Sequence, residues 1–215
     1  MRNSSDSTTK SRPRKLAKLD EPLEAVLTRL GIPDDWDFLL VGDGSGSNWA
    51  NEAGFACVSI ERTTMERQVW YGAFNRGTVN VAEIMAYMQP LNWLAAREEE
   101  RRQEQKTKRR AWRIHILTDS QYCQKTGSTN GHLTVNKNAV LWSALDVFSR
   151  QGFVLHWHWI KREDVGLNLF VDEVSRLARK RLKSYNLLDR VGLEDGADGQ
   201  ARTADEVNPS GKVER

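Results

Sequence analysis

The chain has 215 residues, enough for one ordinary domain with tails or at most two small ones. Apolar residues make up 39% and charged residues 28%, so a real core can form, and no segment approaches the ~20 apolar residues of a membrane span. The net charge of +3 hides a skew: Arg2, Lys10, Arg12, Arg14, Lys15 and Lys18 face only Asp6 and Asp20 near the start, whereas Glu194, Asp195, Asp198, Asp205 and Glu206 make the end acidic. A basic arm suits a polyanionic partner or simply a solvated tail. Cys57 and Cys123 lie in apolar stretches with no Cys-x-x-Cys pair, which argues against zinc and for packed thiols in a reducing compartment. No apolar run follows the first positive charges, as a secretory signal would require, so the expectation is a soluble, cytoplasmic chain.

In chain order, residues 1–19 are polar and without periodicity, which predicts a disordered basic arm. Residues 20–33 predict a short capping helix, with Leu23, Val26, Leu27 and Leu30 on one face and Gly31 and Pro33 ending it. The main domain is expected over 34–186. Phe38 to Val41 reads as a strand buried on both faces, stopping at Asp43-Gly44-Ser45-Gly46. Gly54–Thr63 and Arg67–Phe74 follow closely enough for an antiparallel meander. A long helix is predicted from Val81 to about Lys106, kinked at Pro90, with 97–110 as an exposed extension supported by Glu98 and Arg102 at i,i+4. Trp112–Thr118 is a fourth strand, reached through the helix and so able to lie parallel to the first. Next come a short helix over Ser120–Lys125, a loop over Thr126–Asn136, a helix over Asn138–Gln151, a strand over Phe153–Lys161 and a helix over Leu169–Tyr185. Residues 187–215 predict a tail. This order gives an α/β domain with a mixed sheet.

Asp43 and Asp119 each follow an apolar strand, and parallel neighbours share one carboxyl edge, where open α/β sheets place their sites. Glu83 lies in the first turns of the long helix, and Asp172 among Phe170, Val171 and Val174. Inward carboxylates are costly to bury without a positive partner, and no Lys or Arg is spaced to neutralise all four. An oxygen-only donor set suits Mg²⁺ or Mn²⁺, and two such ions ~4 Å apart can promote phosphodiester cleavage. Taken singly, each acid has a plainer explanation: a turn residue at Asp43, first-turn or capping acids at Asp119 and Asp172, a surface residue at Glu83.

Asp43-Gly44-Ser45, Thr78-x-Asn80-x-x-Glu83, Thr118-Asp119-Ser120-Gln121-Tyr122, Asn138-Ala139-Val140-Leu141-Trp142, Trp159-Ile160-Lys161 and Asn168-x-x-x-Asp172-Glu173 with Leu177-Ala178 resemble the ribonuclease H family, type 1, in order and placement. The resemblance covers roughly residues 37–180. It implies a ribonuclease H-like fold, a five-stranded mixed sheet with helices on both faces. It implies two Mg²⁺ ions, with Mn²⁺ as a substitute, held by Asp43, Glu83, Asp119 and Asp172, Asp43 bridging both. It implies endonucleolytic hydrolysis of the RNA strand of an RNA–DNA hybrid; apart from the resemblance, a monomer is expected. Ser45, Thr78, Asn80 and Gln121 match substrate-contacting positions, where the 2′-hydroxyl edge distinguishes RNA from DNA. Helix capping is the plainer role for Thr78 and Asn80, since Asn80 stands three residues before Glu83. Core packing is the expected role of Tyr122, Trp142 and Trp159.

Two departures stand out. The loop after Trp159-Ile160-Lys161 lacks the family's usual His, and Glu163 or Asp164 could replace it as a proton shuttle. His156 and His158 share a strand face and read as ordinary sheet residues. The stretch between Tyr122 and Asn138 is only thinly basic, so grip would fall to the N-terminal arm or to Lys106, Lys108, Arg109 and Arg110, if 97–110 is not simply a solvated face. The alternatives are a nucleic-acid-binding module that has lost turnover and a related nuclease acting on another phosphodiester.

Overall fold

The computed structural model describes residues 21–46, 52–105, 111–129 and 138–191. The expected basic arm at 1–19, the cations at 106–110 and most of the expected tail lie outside them. The elements are α1 (Leu23–Leu30), β1 (Phe38–Ser45), β2 (Glu52–Glu61), β3 (Arg67–Asn75), α2 (Val79–Gln105), β4 (Trp112–Thr118), α3 (Gln121–Ser128), α4 (Ala139–Arg150), β5 (Phe153–Trp159) and α5 (Gly166–Val191). The sheet order is β3-β2-β1-β4-β5. β1 pairs antiparallel with β2, and β2 with β3, while β4 runs parallel to both β1 and β5. The sheet is therefore mixed.

All eight positions of β1 are buried, because it is the central strand and both of its faces are covered. On one face Phe38, Leu40, Cys57, Ile114 and Ile116 pack with Ile84, Tyr87 and Leu91 of α2 and Trp142, Leu145 and Phe148 of α4. On the other, Leu39, Val41, Val58, Ile60 and Leu117 pack with Leu23, Val26 and Leu27 of α1 and Val171 of α5. The period-2 alternation of strand side chains divides each strand between the two clusters. The Tyr122 hydroxyl accepts from Trp142 Nε1 at 2.9 Å and from Asn138 Nδ2 at 3.2 Å, which ties α3 to the start of α4.

Several expectations are corrected. The hydroxyl that caps α2 belongs to Thr78, which accepts from the Val81 amide, while Asn80 lies inside the helix. Glu98 is 4% exposed, not a surface partner of Arg102. It accepts from Trp112 Nε1 at 3.0 Å and pairs with Arg101, while Arg102 pairs with Glu99. Helix α5 starts at Gly166, earlier than expected, and runs to Val191, past the expected boundary at 186. Trp159 is 44% exposed, so it is not a core residue. His156 and His158 are more than plain strand residues. Both rings lie against buried His115, with His158 Nε2 3.2 Å from His115 Nδ1 and Asp35 Oδ1 3.6 Å from His115 Nε2.

Candidate active site

β1 continues as far as Ser45 against β2, but its ladder with β4 ends at the Val41–Leu117 pair. Asp43 stands on the part of β1 beyond that pair, and Asp119 directly follows β4. The start of α2 closes over the same edge. A Cβ on Gly44 would fall 2.3 Å from the Glu83 nitrogen, so only glycine lets strand and helix come this near. Glu83 is thereby brought onto the strand end, and its carboxylate accepts from the Gly44 amide. Asp43, Glu83 and Asp119 each offer a ligand oxygen within 4.8 Å of the others.

Asp172, in the second turn of α5, is not one of these three but lies beside them, since Arg162 reaches both it and Asp119. Ser45 lies on β1 just past Asp43, Thr78 at the cap of α2 and Asn80 in its first turn, and Gln121 opens α3 just after Asp119. Backbone order alone thus puts these side chains along one edge of the sheet.

Asp43 is 1% exposed and Glu83 7%. Both oxygens of Asp43 and Oε2 of Glu83 have no hydrogen-bond partner among the described residues. Burial, and then the neighbouring charge of Asp119, raises the Asp43 carboxyl from its usual 3.8 to about 7. Burial, then the charges of Asp43 and Asp119, holds Glu83 well above the carboxylate range.

The expectation that no Lys or Arg neutralises all four acids leaves room for partial pairing, and two arginines supply it. Arg162 Nε donates to Asp119 Oδ2 at 2.8 Å, and its Nη1 lies 3.5 Å from Asp172 Oδ1. Arg176 Nη2 lies 3.1 Å from Asp172 Oδ2 and also pairs with Glu173. Arg162 is held in its charged form mainly by the bond to Asp119. Of the loop that lacks the expected His, Arg162 is thus the residue that touches the carboxylates, whereas the Asp164 carbonyl accepts from Arg29 and Glu163 is exposed. Its signal was present in the sequence: it follows β5, which is parallel to β4, so it must emerge at the same edge as Asp119. Trp159 Nε1 donates to the Asp119 carbonyl at 3.2 Å and leaves half its surface at that edge.

One guanidinium does not reach every acid. The unpartnered oxygens of Asp43 and Glu83 remain, hard donors without a His or Cys among them, and this fits a divalent cation such as Mg²⁺ or Mn²⁺. Among the described residues no helix is long and apolar enough to cross a membrane.

The chain matches no protein-family profile and no curated protein sequence. Solved structures do resemble it. The N-terminal RNase H domain of Rv2228c from Mycobacterium tuberculosis, solved as a fusion with maltose-binding protein, superposes with a TM-score of 0.54 at 18% identity, over 69% of this chain and 97% of that one. LC11-RNase H1 in complex with an RNA/DNA hybrid gives 0.55 at 16% identity, over 67% and 98%. LC11-RNase H1 isolated from compost by a metagenomic approach gives 0.53 at 16%, over 68% and 97%. At identities this low the likeness is one of architecture, and it says what that architecture is: the chain has a ribonuclease H-like fold.

Proposed function

We propose that this chain is a metal-dependent endoribonuclease that hydrolyses the RNA strand of RNA–DNA hybrids. The observation that carries the reading is the gathering of Asp43, Glu83 and Asp119 within 4.8 Å, with buried oxygens of Asp43 and Glu83 that no described residue satisfies. Asp43, Glu83 and Asp119 would hold one divalent ion, and Asp43 with Asp172 a second. Bound there, such ions supply an activated water and neutralise charge on the leaving oxygen. The protein's own groups do the rest. Gly44 and the Thr78 cap fix Glu83 against β1. Arg162, half exposed beside Asp119 and Asp172, presents a guanidinium that can hold a phosphate oxygen as the strand arrives. Ser45, Thr78, Asn80 and Gln121 would contact the hybrid, Thr78 and Gln121 being exposed at two helix starts on the same edge. Two buried free thiols agree with a reducing, cytoplasmic setting.

Arg162 also favours a second reading. A guanidinium already lodged on two of the acids suits a module that binds nucleic acid without turning it over. A labelled RNA–DNA hybrid incubated with Mg²⁺ or Mn²⁺ separates the two. Cleavage of the RNA strand, lost in Asp119→Asn, is the expected result. Tight hybrid binding with no product from either metal selects the binding module. Product from duplex DNA or junctions but none from the hybrid selects another substrate.

A further inference from the structure

The parallel ladder between β1 and β4 runs from Phe38/Ile114 to Val41/Leu117 and stops there. Asp43 and Asp119 lie beyond its last pair, so no direct bond between these two strands fixes their separation. The hydroxyl of Tyr87 stands in the gap, 2.9 Å from the Gly42 carbonyl oxygen and 3.3 Å from that of Leu117. A phenol has one O–H to donate, so the two carbonyls share it. The Thr118 hydroxyl also hydrogen-bonds this phenol, and Thr118 Oγ1 accepts from the Ser120 amide at 3.1 Å. Tyr87 itself lies one helical turn after Glu83 on α2. One oxygen therefore joins β1, β4 and α2, the three elements that bring Asp43, Asp119 and Glu83 together.

Packing alone does not explain that oxygen. The ring is fully buried, edge-on to Trp157 at 5.2 Å, and a Cβ on Gly42 would fall 2.7 Å from its Cε1. A phenylalanine would fill almost the same space without burying a polar atom, which costs free energy unless it is bonded. The hydroxyl sits where the strands lose their own hydrogen bonds.

We infer that Tyr87 is a positioning residue for the acidic centre: by tying Gly42 to Leu117 it sets the separation of Asp43 and Asp119 and prepares the centre to take a divalent cation. This inference rests on the metal-centre reading proposed above. Removing a direct hydrogen-bond partner of a metal ligand typically weakens metal affinity by about 10–100-fold, and Tyr87 acts through the neighbouring Gly42 and Leu117 carbonyls, so the low end of that range applies. Calorimetric Mn²⁺ titrations of the full chain, run below every variant's melting midpoint, test it on wild type, Tyr87→Phe, Trp157→Phe and Asp43→Asn.

Tyr87→Phe is expected to bind Mn²⁺ about tenfold more weakly, and amide exchange at residues 42–44 and 117–119 to quicken even without metal. Trp157→Phe disturbs the packing of the same ring but keeps the hydroxyl, and is expected to lower the melting midpoint while leaving Mn²⁺ affinity near wild type. Tyr87→Phe binding as tightly as wild type, with Asp43→Asn defective, overturns the positioning role and leaves the metal centre standing. Equal losses in Tyr87→Phe and Trp157→Phe overturn it too, since packing would then explain both. Wild type binding no better than Asp43→Asn overturns the metal centre itself.

Discussion

Asp43→Asn probes the electrostatics of the centre most directly. The wild-type carboxyl is 1% exposed, both its oxygens lack a partner among the described residues, and burial ahead of the Asp119 charge raises it from 3.8 to about 7. Keeping it ionised in the metal-free fold at pH 8 costs about 4 kcal/mol relative to an unfolded carboxylate, shared with the acids that titrate beside it. The sign follows from proton binding. Between about pH 4 and pH 7 the folded chain holds a proton that the unfolded chain has released. This contribution to stability is complete below that window and lost as the pH rises through it. The variant removes the charge but leaves a buried amide short of partners, a cost of about 1–3 kcal/mol. The net expectation at pH 8 in EDTA is a variant roughly 2 kcal/mol more stable than wild type. With a urea dependence of roughly 2 kcal/mol per molar, its unfolding midpoint should rise by about 1 M. At pH 4 the advantage should vanish, and with excess Mg²⁺ the order should reverse, because only wild type gains binding free energy. A variant less stable than wild type in EDTA at pH 8 would show that the fold already compensates this charge, and the argument would be wrong.

Arg162→Ala removes ion pairs of a half-exposed side chain, so its urea midpoint should fall by no more than about 1 kcal/mol equivalent. The centre left behind is more anionic, and Mn²⁺ affinity measured by calorimetry should tighten by roughly fivefold; weaker binding would make Arg162 a support of the ligand geometry instead. Burial first, and then the nearby His158 and His156, lowers His115 to about 4, which keeps it neutral in the fold. Its contribution to stability is complete above pH 6.5 and lost as the pH falls toward 4, so His115→Gln should flatten the fall in urea midpoint over that range. An unchanged slope would place the acid sensitivity elsewhere.

The parts of this molecule that follow from local pattern are legible in the sequence. β4 is found over Trp112–Thr118 as expected, because buried apolar residues run to a clear stop at Asp119. The antiparallel β1-β2-β3 meander and the parallel β4 follow from the lengths of the connections. Asp43, Glu83 and Asp119 could be picked out because each is an acid at the edge of an apolar segment. What stayed hidden depends on long-range geometry. Glu98 looks like surface charge until β4 brings the Trp112 indole onto it. The histidine cluster around buried His115 forms because the β4–β5 register sets His115 beside His156, a pairing without a sequence signature. Arg162 sits in a loop read for its missing His; the parallel β5 puts that loop at the edge of Asp119, but which carboxylates the guanidinium meets shows only in the folded chain. Tyr87 draws no notice in the sequence, since nothing in the spacing shows where its hydroxyl lands.

The acids and the arginines stand on different footings. Asp43 belongs to the innermost strand, and Glu83 to a helix start pressed against it through Gly44. Arg162 follows the outermost strand on the other side of β4 and remains half in solvent. The negative half of the centre therefore cannot drift without disturbing the core, while the positive half can be exchanged, shortened or redirected at little cost to folding. Selection or engineering that retunes this edge for another ion or strand would have its freedom in residues 161–164, and hardly any in 42–44.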